Sequence, residues 1–376
     1  MKVVIVTCFD TYEDRIDLLH EYFCKRGDEV TIIQSDFRHF KKSKRIEEKP
    51  GYIFVNTRTY NKNLSIARLR SHYAYAKKAF KLVENLKPEL LYAVIPANSI
   101  AKFAGEYKKN NNDVKLVFDL VDLWPETMPI GSMKYFPPFT FWRLMRDNSL
   151  KFADFIITEC NLYQSILKDL LKNSKKDTVY LAKKEIKIVN NSVLNEREFH
   201  LCYLGSINNI IDIQLIKKFI KALHEVKPTT LHIIGDGENR NLLIEEINST
   251  GALVKYHSKL YDAAEKQLIF DQCHFGLNIM KQDVCVGLTM KSIDYFQHGL
   301  PIINNIQADT AGIVELYKIG FNLTDTNIQE LVYEITNIDL EQFVEMRKNT
   351  KKVFKDFFSS VAFNEKMNVV IKELYE

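Results

Sequence analysis

Short apolar runs alternate with longer amphipathic stretches along almost the whole chain. The runs at Val3–Thr7, Leu90–Ile95 and Lys115–Leu120 predict buried strands. Between them lie stretches such as Ile16–Arg26 and Ser99–Lys109, whose apolar positions have helical spacing. Strands that are apolar on both faces and alternate with helices are typical of parallel sheets covered on both sides by helices.

The alternation loosens in a Lys- and Asn-rich stretch at 172–200 and then restarts, which indicates a domain junction. We therefore predict an N-terminal domain of residues 1–183, a C-terminal domain of residues 199–350 and a terminal helical segment of residues 351–376. Both domains are predicted to be doubly wound α/β folds, which bind ligands at the carboxyl ends of their strands. With two such domains, the expected ligand site is the cleft between them.

Composition and charge narrow the functional classes. The 376 residues are 46% hydrophobic and 27% charged, close to the averages of soluble globular proteins, which excludes disordered and fibrous classes. Residues 1–200 hold 34 Lys+Arg against 25 Asp+Glu, a net of +9, whereas residues 201–376 hold 18 against 23, a net of −5. The basic half suggests an anionic partner such as a membrane surface. Nucleic acid is not expected, because no binding motif or aromatic-lined basic groove is evident.

The cysteines, histidines and apolar runs indicate a cytoplasmic protein. The six cysteines are far apart without a C-x-x-C pair, as expected for reduced thiols, and the nine histidines lack zinc-ligand spacing. No stretch approaches the ~18 apolar residues of a membrane span, and the N-terminal apolar run is too short for a signal peptide. We expect no metal site and a location in the cytoplasm, or peripheral on the inner face of the cell membrane.

The segment Gly287–Ile303 is the strongest candidate for a ligand site. Thr289 precedes a predicted short helix, whose free N–H groups and positive dipole end attract anions. Lys291, followed by Ser292, lies in the first turn, where a cation opposes the dipole unless an anion stands in front of it. Asp294 shares a face with Lys291 and would accept hydrogen bonds from sugar hydroxyls. The alternative is a Lys–Asp pair on a solvated helix.

Two glycine turns of the C-terminal domain follow predicted strands and precede helices. Gly205 and Ser206 form the first turn, and the second is Gly235–Gly237, with Asp236 in its middle. Glycine allows a tight turn and close approach of a ligand, and the following helix start would offer N–H groups to phosphate oxygens. The alternative is a pair of simple turns in which Ser206 caps a helix.

In the N-terminal domain, two carboxylates follow a predicted strand. Asp122 and Glu126 come directly after Lys115–Leu120, and either would orient an acceptor hydroxyl or take its proton. Trp124 and Asn98 are expected at the same edge as acceptor contacts. The alternative is that Asp122 caps the following segment and Trp124 simply packs.

Together these segments resemble a known family. The Gly-Ser and Gly-Asp-Gly turns and the later K-x-x-D-Y-x-x-x-G-x-P-I-I motif that begins at Lys291 look like the nucleotide-sugar half of group 1, family 4 glycosyltransferases. The D-L-W-P-E segment Asp122–Glu126 and the strand within Lys151–Thr158 are similar to segments of the bacterial surface-polysaccharide members. The resemblance covers nearly the whole chain.

The resemblance implies the GT-B fold: two facing Rossmann-like domains, a ligand cleft between them and a C-terminal helix that crosses back to the first domain. It implies metal-independent transfer of a sugar from a nucleotide diphosphate, with a UDP-sugar favoured, no other cofactor, and usual retention of anomeric configuration. Asp294 would then bind the ribose, while Lys291 and the N–H groups around Thr289 would face the diphosphate. The turns at Gly205–Ser206 and Gly235–Gly237 would line the cleft.

Two departures from the family pattern keep an alternative open. Val286 stands where the family has the first Glu of its E-x7-E motif, and Ser206 replaces a frequent Arg. These changes motivate a catalytically silent GT-B subunit that binds a saccharide or stabilises an active transferase. A sugar-nucleotide epimerase of the same fold is a third hypothesis, but it needs further acid/base groups that the sequence does not show.

Two segments suggest what the acceptor is. Phe37–Arg45 is a basic run with aromatic residues, and Tyr135–Arg143 is rich in aromatic residues and ends in Arg, which are compositions typical of membrane-surface contacts. A solvated loop and buried core are the respective alternatives. With the basic N-terminal half, the segments favour a lipid-linked saccharide acceptor in surface or capsular polysaccharide synthesis.

Overall fold

The computed structural model describes residues 1–39, 41–186, 194 and 197–376, and it divides into two compact units. The first unit comprises Met1–Ala182 and Phe363–Glu376, and the second comprises Lys183–Ala362. Part of the predicted junction at 172–200, including residues 190–192, lies outside the described residues.

The first unit is built on a seven-stranded parallel sheet. Its strand order is β5-β2-β1-β6-β7-β8-β9, and a separate two-stranded antiparallel ribbon pairs β3 with β4. The strands are β1 (Lys2–Thr7), β2 (Glu29–Ser35), β3 (Phe37–Arg38), β4 (Ser43–Lys44), β5 (Tyr52–Val55), β6 (Leu90–Ile95), β7 (Lys115–Leu120), β8 (Phe155–Thr158) and β9 (Lys176–Thr178). The helices are α1 (Glu13–Lys25), α2 (Ile66–Leu86), α3 (Asn98–Asn110), α4 (Phe139–Leu150) and α5 (Asn161–Ile166), with short 3-10 helices at Asp10–Tyr12 and Gly131–Tyr135.

The second unit repeats the architecture with a six-stranded parallel sheet. Its strand order is β12-β11-β10-β13-β14-β15. The strands are β10 (Phe199–Leu204), β11 (Thr229–Ile234), β12 (Leu253–Tyr256), β13 (Phe275–Asn278), β14 (Ile302–Asn304) and β15 (Gly320–Asn322). The helices are α6 (Ile213–Val226), α7 (Arg240–Asn248), α8 (Ala263–Phe270), α9 (Met290–Gln297), α10 (Asp309–Tyr317), α11 (Ile328–Thr336) and α12 (Leu340–Val353), followed by a π-helical turn (Phe354–Phe358). Helix α13 (Ser360–Tyr375) begins in the second unit and continues into the first.

Burial explains why the apolar runs form the central strands. Every residue of β6, β10 and β11 is buried, because helices cover both faces of each sheet. Centrally placed β1 pairs in parallel with β2 and β6, and β10 pairs in parallel with β11 and β13. The predicted doubly wound α/β class is confirmed in both units.

The end of the chain departs from the predicted boundary. Residues 351–362 belong to the second unit, where Phe358 packs against Phe296 of α9 with ring centroids 5.6 Å apart. From Phe363 onward the chain is part of the first unit, and Met367 and Ile371 lie in the same apolar cluster as Ile5. The segment that returns to the first unit therefore begins at residue 363 rather than at residue 351.

Candidate functional site

Each sheet has a topological switch point, where successive strands are added on opposite sides. In the first unit it lies between β1 and β6, and in the second unit it lies between β10 and β13. Open parallel sheets bind ligands beyond the carboxyl ends of the strands at such points. We therefore expect ligand-binding residues at these two edges.

The two glycine turns of the second unit pack against each other. A Cβ on Gly235 would lie 1.9 Å from the Gly205 carbonyl oxygen, and a Cβ on Gly237 would lie 2.3 Å from that of Ile207. The Ile207 N–H donates to the Asp236 carbonyl oxygen at 3.0 Å, which joins the turns. The second turn therefore needs its glycines for contact with the first, as well as for backbone shape, since Gly235 has a φ of +148°.

Asp236 and Ser206 stand at the exposed side of these turns. One Asp236 carboxylate oxygen accepts hydrogen bonds from the Gly237 N–H at 2.9 Å and from Arg240 at 3.2 Å, and so stabilises the start of α7. The Ser206 carbonyl oxygen accepts from the Tyr203 hydroxyl at 2.9 Å, while its side chain is exposed. Both residues have local roles and remain reachable from solvent.

Helix α9 begins with a side-chain cap. The Thr289 hydroxyl accepts from the Ser292 N–H at 3.2 Å and donates to the Asn278 side chain at 2.8 Å. The Ser292 hydroxyl donates to the Thr289 carbonyl oxygen at 2.7 Å. An α-helix leaves its first N–H groups without intrahelical partners, so the cap leaves those of Met290 and Lys291 available to an anion.

Tyr295 anchors α9 to the sheet and thereby sets the position of Lys291. The buried Tyr295 hydroxyl accepts from the Leu204 N–H at 2.7 Å and donates to the Cys202 carbonyl oxygen at 3.1 Å. Its ring lies against Gly276, where a Cβ would come within 2.8 Å of it. Lys291 precedes Tyr295 by four residues, so the two side chains lie on the same face of α9, the face that packs over β10.

Lys291 is a buried cation, and it forms no ion pair with any carboxylate among the described residues. Its side chain is 9% exposed, its Nζ lies 3.4 Å from the Tyr203 hydroxyl and 4.5 Å from the centre of that ring. Burial lowers the pKa of Lys291 to about 7. A buried ammonium with only a phenol beside it is poorly compensated, which makes this position suited to an anionic ligand.

Asp294 has different neighbours from Lys291. Its Oδ1 is paired with Lys183 and lies 3.6 Å from the Lys266 Nζ. The alternative of a solvated Lys291–Asp294 pair is therefore wrong, because Lys291 is buried and the carboxylate is held by two other lysines. Both of these ion pairs are made by Oδ1.

In the first unit, Asp122 is surrounded by hydrogen-bond donors. Its Oδ2 accepts from the Trp124 indole at 2.7 Å and from the Tyr12 hydroxyl at 3.3 Å. Its Oδ1 accepts from the Leu123 N–H at 2.8 Å and from the Thr127 hydroxyl. Burial raises the pKa of Asp122, although these donors oppose the rise. The geometry is that of a carboxylate that organises its own loop, as in the capping alternative.

Glu126 is similarly engaged. Both of its oxygens accept from the buried Arg146 guanidinium, at 2.8 and 3.0 Å. Arg146 also donates to the Trp124 carbonyl oxygen at 3.0 Å and to Asp147 at 2.9 Å. This bidentate pair attaches the loop after β7 to α4.

Asn98 and Trp124 meet at the same edge. Asn98 is completely buried at the start of α3, and its amide donates to the carbonyl oxygens of Trp124 at 3.0 Å and Trp142 at 3.1 Å. The Trp124 ring is buried against Phe9, with centroids 5.2 Å apart. The structure therefore brings the four predicted first-unit residues together, with Asn98 in a supporting position.

Four residues of these sites are absent from the sequence-based prediction. Lys183 and Lys266 hold Asp294, Tyr203 supports Lys291, and the Arg68 guanidinium lies 4.3 Å from the Trp124 ring centre. The lysines are distant in sequence from Asp294, so no local pattern reveals them. No local pattern reveals Arg68 either, because its burial on α2 is evident only in the structure.

The two segments predicted to meet a membrane differ. Phe40 of the basic run lies outside the described residues, and Arg38, Lys44 and Arg45 of that run are paired with carboxylates. In and beside the aromatic segment Tyr135–Arg143, several large apolar side chains are 58–65% exposed: Met133, Tyr135, Phe136 and Phe141. No helix among the described residues is long and apolar enough to cross a membrane.

Comparison with known proteins identifies the fold. No family model matches the chain, and no curated protein sequence matches it. Among solved structures, it is similar to sucrose-phosphate synthase from Thermosynechococcus elongatus, with a TM-score of 0.74, 13% identity and coverage of 100% of this chain and 99% of that one. It is also similar to Anabaena HepE in complex with UDP, with a TM-score of 0.69, 15% identity and coverage of 99% and 100%.

A third similar structure is WaaG, a glycosyltransferase involved in lipopolysaccharide biosynthesis, with a TM-score of 0.67, 11% identity and coverage of 98% and 99%. These neighbours are GT-B glycosyltransferases, and the match extends over nearly the full length of each chain. At such low identity the similarity establishes the architecture. The chain has the GT-B fold.

Proposed function

We propose that this protein is a metal-independent glycosyltransferase that moves a sugar, with retention of its anomeric configuration, from a nucleotide diphosphate to a lipid-linked saccharide in surface or capsular polysaccharide synthesis. The observation that carries the proposal is Lys291, a buried cation without a carboxylate partner among the described residues, in the first turn of α9. A nucleotide diphosphate would supply the missing negative charge.

The proposed chemistry uses Lys291 and the start of α9 together. In transfer, the bond between the anomeric carbon and the diphosphate oxygen breaks, a bond to the acceptor oxygen forms, and the proton of the acceptor hydroxyl passes to the departing diphosphate oxygen. Negative charge then grows on the departing diphosphate, where Lys291 and the first N–H groups of α9 would stabilise it. The positive charge comes from the chain itself, so the proposal requires no divalent cation.

Asp294 is assigned to the ribose. Lys183 and Lys266 hold its Oδ1, so we assign Oδ2 to a ribose hydroxyl. The turns at Gly205–Ser206 and Gly235–Gly237 are assigned to the donor as well. A UDP-sugar is the favoured donor, because HepE, which has the same fold, forms complexes with UDP and with UDP-glucose.

The first unit is assigned to the acceptor. Its exposed apolar side chains at Met133, Tyr135, Phe136 and Phe141 would insert at a membrane interface, and residues 1–200 carry a net charge of +9 that favours an anionic surface. We therefore place the protein on the inner face of the cell membrane. In this assignment the Asp122–Glu126 loop positions the acceptor.

A catalytically silent GT-B subunit is the second candidate. Val286 favours it, because the family resemblance places there a Glu that contacts the donor sugar. Such a subunit would retain the fold and the loop contacts, and would bind a saccharide or a partner enzyme without turning over a nucleotide sugar.

The deciding experiment measures nucleotide binding and turnover by the purified chain. Isothermal titration with UDP, GDP, dTDP and CMP identifies the base, and release of UDP from UDP-sugars measures turnover. We expect Lys291→Met to weaken diphosphate binding 10- to 100-fold, because a hydrogen bond to a charged group contributes about 1.5–3 kcal/mol. Turnover should fall at least ~100-fold, because the growing charge loses its stabiliser.

Lys218→Met is the matched control, since Lys218 is exposed in the same unit and pairs with Asp325 on the surface. It should bind and turn over like the parent chain. Binding without turnover of any UDP-sugar would favour the silent subunit, and equal affinity of the parent chain and Lys291→Met would remove Lys291 from the site.

A further inference from the structure

Three arginines of the first unit are nearly or fully buried, and one of them differs from the others. Arg15 is 1% exposed and donates to both oxygens of Asp119, at 2.7 and 2.8 Å. Arg146 is fully buried and donates to both oxygens of Glu126. Arg68 is 5% exposed, and no carboxylate of the described residues forms an ion pair with it.

Aromatic rings surround the Arg68 guanidinium. Its carbon lies 4.3 Å from the Trp124 ring centre, 5.6 Å from that of Phe9 and 5.9 Å from that of Tyr60. One terminal nitrogen donates to the Asn63 carbonyl oxygen at 2.8 Å, and the buried Nε has no hydrogen-bond partner among the described residues. Cation–π contacts compensate the charge of a buried guanidinium only in part. Its remaining N–H groups are suited to a hydrogen-bond acceptor, since buried polar groups are normally hydrogen-bonded.

The titratable groups near Arg68 supply no negative charge to it. The Tyr60 hydroxyl interacts with the guanidinium, but burial raises the pKa of Tyr60, so this partner is a neutral phenol. Burial holds the pKa of His39 down to about 3 and that of His72 far below its usual value, so both imidazoles are neutral and neither balances the charge of Arg68. Lys42 adds a second cation, 4.9 Å from the Tyr60 ring centre. Asp10 accepts from the His39 N–H at 3.0 Å and forms no ion pair with Arg68.

The position of the cluster fits a ligand site. Phe9 follows β1 at the switch point of the first sheet, and Trp124 follows β7 along the same carboxyl edge. Buried charges are ordinarily paired, and a fold that keeps one unpaired at this edge is prepared for an anion from outside. The two paired arginines show that this unit satisfies its other buried guanidinium groups internally.

We infer that Arg68 binds an anionic group, phosphate or carboxylate, on the acceptor, and that the ring of Trp124 packs beside it. The identification of the ligand as the acceptor rests on the proposed function, whereas the anion site itself does not depend on it. It makes the acceptor a charged molecule, either a lipid that carries a diphosphate or a saccharide that carries a phosphate or carboxylate.

The test uses the full chain with Lys291→Met as background, so that anions cannot bind the second unit through Lys291. Isothermal titration is performed with farnesyl diphosphate, glucose 6-phosphate and glucuronate, which separate a lipid diphosphate, a sugar phosphate and a sugar carboxylate. We expect at least one of them to bind, and Arg68→Gln to weaken that binding at least tenfold. Arg70→Gln is the matched control, because Arg70 is exposed on the same helix.

Binding of every probe within twofold of the background in Arg68→Gln, or no binding at all, would overturn the inference. Thermal unfolding gives a second readout: Arg15→Gln should lower the Tm, whereas Arg68→Gln should leave it unchanged or raise it, because an unpaired charge is removed. If Arg68→Gln does not fold, NMR spectra of the background chain replace it. A shift of the Arg68 Nε–H signal when the probe is added would support the inference, and an unchanged signal would contradict it. UDP binding by the parent chain is measured separately, so failure of the donor proposal and failure of the anion site remain distinguishable.

Discussion

The carboxyl edges of the two sheets differ in how their conspicuous charges are satisfied. In the first unit, Asp122 receives four hydrogen bonds from its own surroundings, and Glu126 is locked to Arg146. In the second unit, Lys291 is buried beside a tyrosine and forms no ion pair with any described residue. A charge already met by protein partners holds a loop in place, whereas an unmet buried charge is suited to a ligand.

In how its charge is satisfied, Arg68 resembles Lys291 more than it resembles the carboxylates of its own unit. Both cations are buried, both lie against aromatic rings, and neither forms an ion pair within the part of the chain that the structure describes. The charged residues of a motif are therefore not enough to locate a site. Their partners must be known as well.

The largest effect on stability is expected from Glu126→Gln. Removing one partner of a buried ion pair costs about 3–5 kcal/mol, because the other charge is left uncompensated. Asp147 still contacts Arg146 in this variant and compensates part of its charge. We therefore expect the free energy of unfolding, measured by urea denaturation, to fall by about 3 kcal/mol.

The control for this variant is Arg143→Gln, because Arg143 is 31% exposed and lies 3.8 Å from Asp147. Such a pair contributes at most about 1 kcal/mol. If Glu126→Gln were as stable as the parent chain while UDP-sugar turnover collapsed, Glu126 would be a catalytic residue and the contrast between the edges would fail.

The next effect is the pH dependence of stability that Lys291 imposes. Its pKa of about 7 in the folded chain lies below the ordinary lysine value, so above pH 7 the unfolded chain binds more protons than the folded one. The cost of burying the charge is fully present below pH 7 and declines as pH rises toward the ordinary lysine value. Relative to Lys291→Met, the parent chain should gain up to about 1.4 kcal/mol per pH unit, and roughly 2 kcal/mol in total from pH 7 to pH 9, because half of the folded molecules are still protonated at pH 7.

Urea denaturation of both chains at pH 7, 8 and 9, without ligand, measures this difference. Lys218→Met should follow the parent chain, because Lys218 is exposed. Parallel pH profiles of the parent chain and Lys291→Met would mean that the charge of Lys291 is compensated in the folded protein and that the two edges do not differ in this respect.

The sequence reveals the sheets better than it reveals the sites. Central strands such as Leu90–Ile95 and Lys115–Leu120 match their predicted bounds, because strands buried on both faces are continuous apolar runs. Helix α2 has no corresponding prediction, because its buried face begins with Arg68, Ser71 and His72. Polar residues on that face weaken the apolar periodicity by which helices are recognised.

The second-unit site shows what local spacing contains. The start of α9, its Thr289 cap and the place of Lys291 in the first turn all follow from a short stretch of sequence. The burial of Lys291 beside Tyr203 and the ion pairs of Asp294 with Lys183 and Lys266 do not, because they join residues that are far apart in the chain. Pairing is a tertiary property, and pairing is what distinguishes the two edges.

The smallest effect is expected from Asp122→Asn, which tests whether the Asp122 carboxylate holds its own loop in place. The variant keeps the shape of the side chain but replaces one acceptor oxygen by a donor group, which then faces either the Trp124 indole or the Leu123 N–H. We expect a loss of about 1–2 kcal/mol in the free energy of unfolding, since one or two hydrogen bonds to a charged acceptor disappear.

UDP-sugar turnover by Asp122→Asn, at a temperature where the variant is folded, should fall less than tenfold, because the loop is loosened and not removed. A general base would give the opposite result, a fall of about 10²–10⁴-fold with the acidic limb of the pH–rate profile lost and stability unchanged. Thr127→Val is the matched variant, because it removes one donor to the same carboxylate and leaves the charge in place. If both variants reduce stability and neither reduces turnover strongly, the Asp122 carboxylate holds its loop, and the charges left to meet a ligand are the cations.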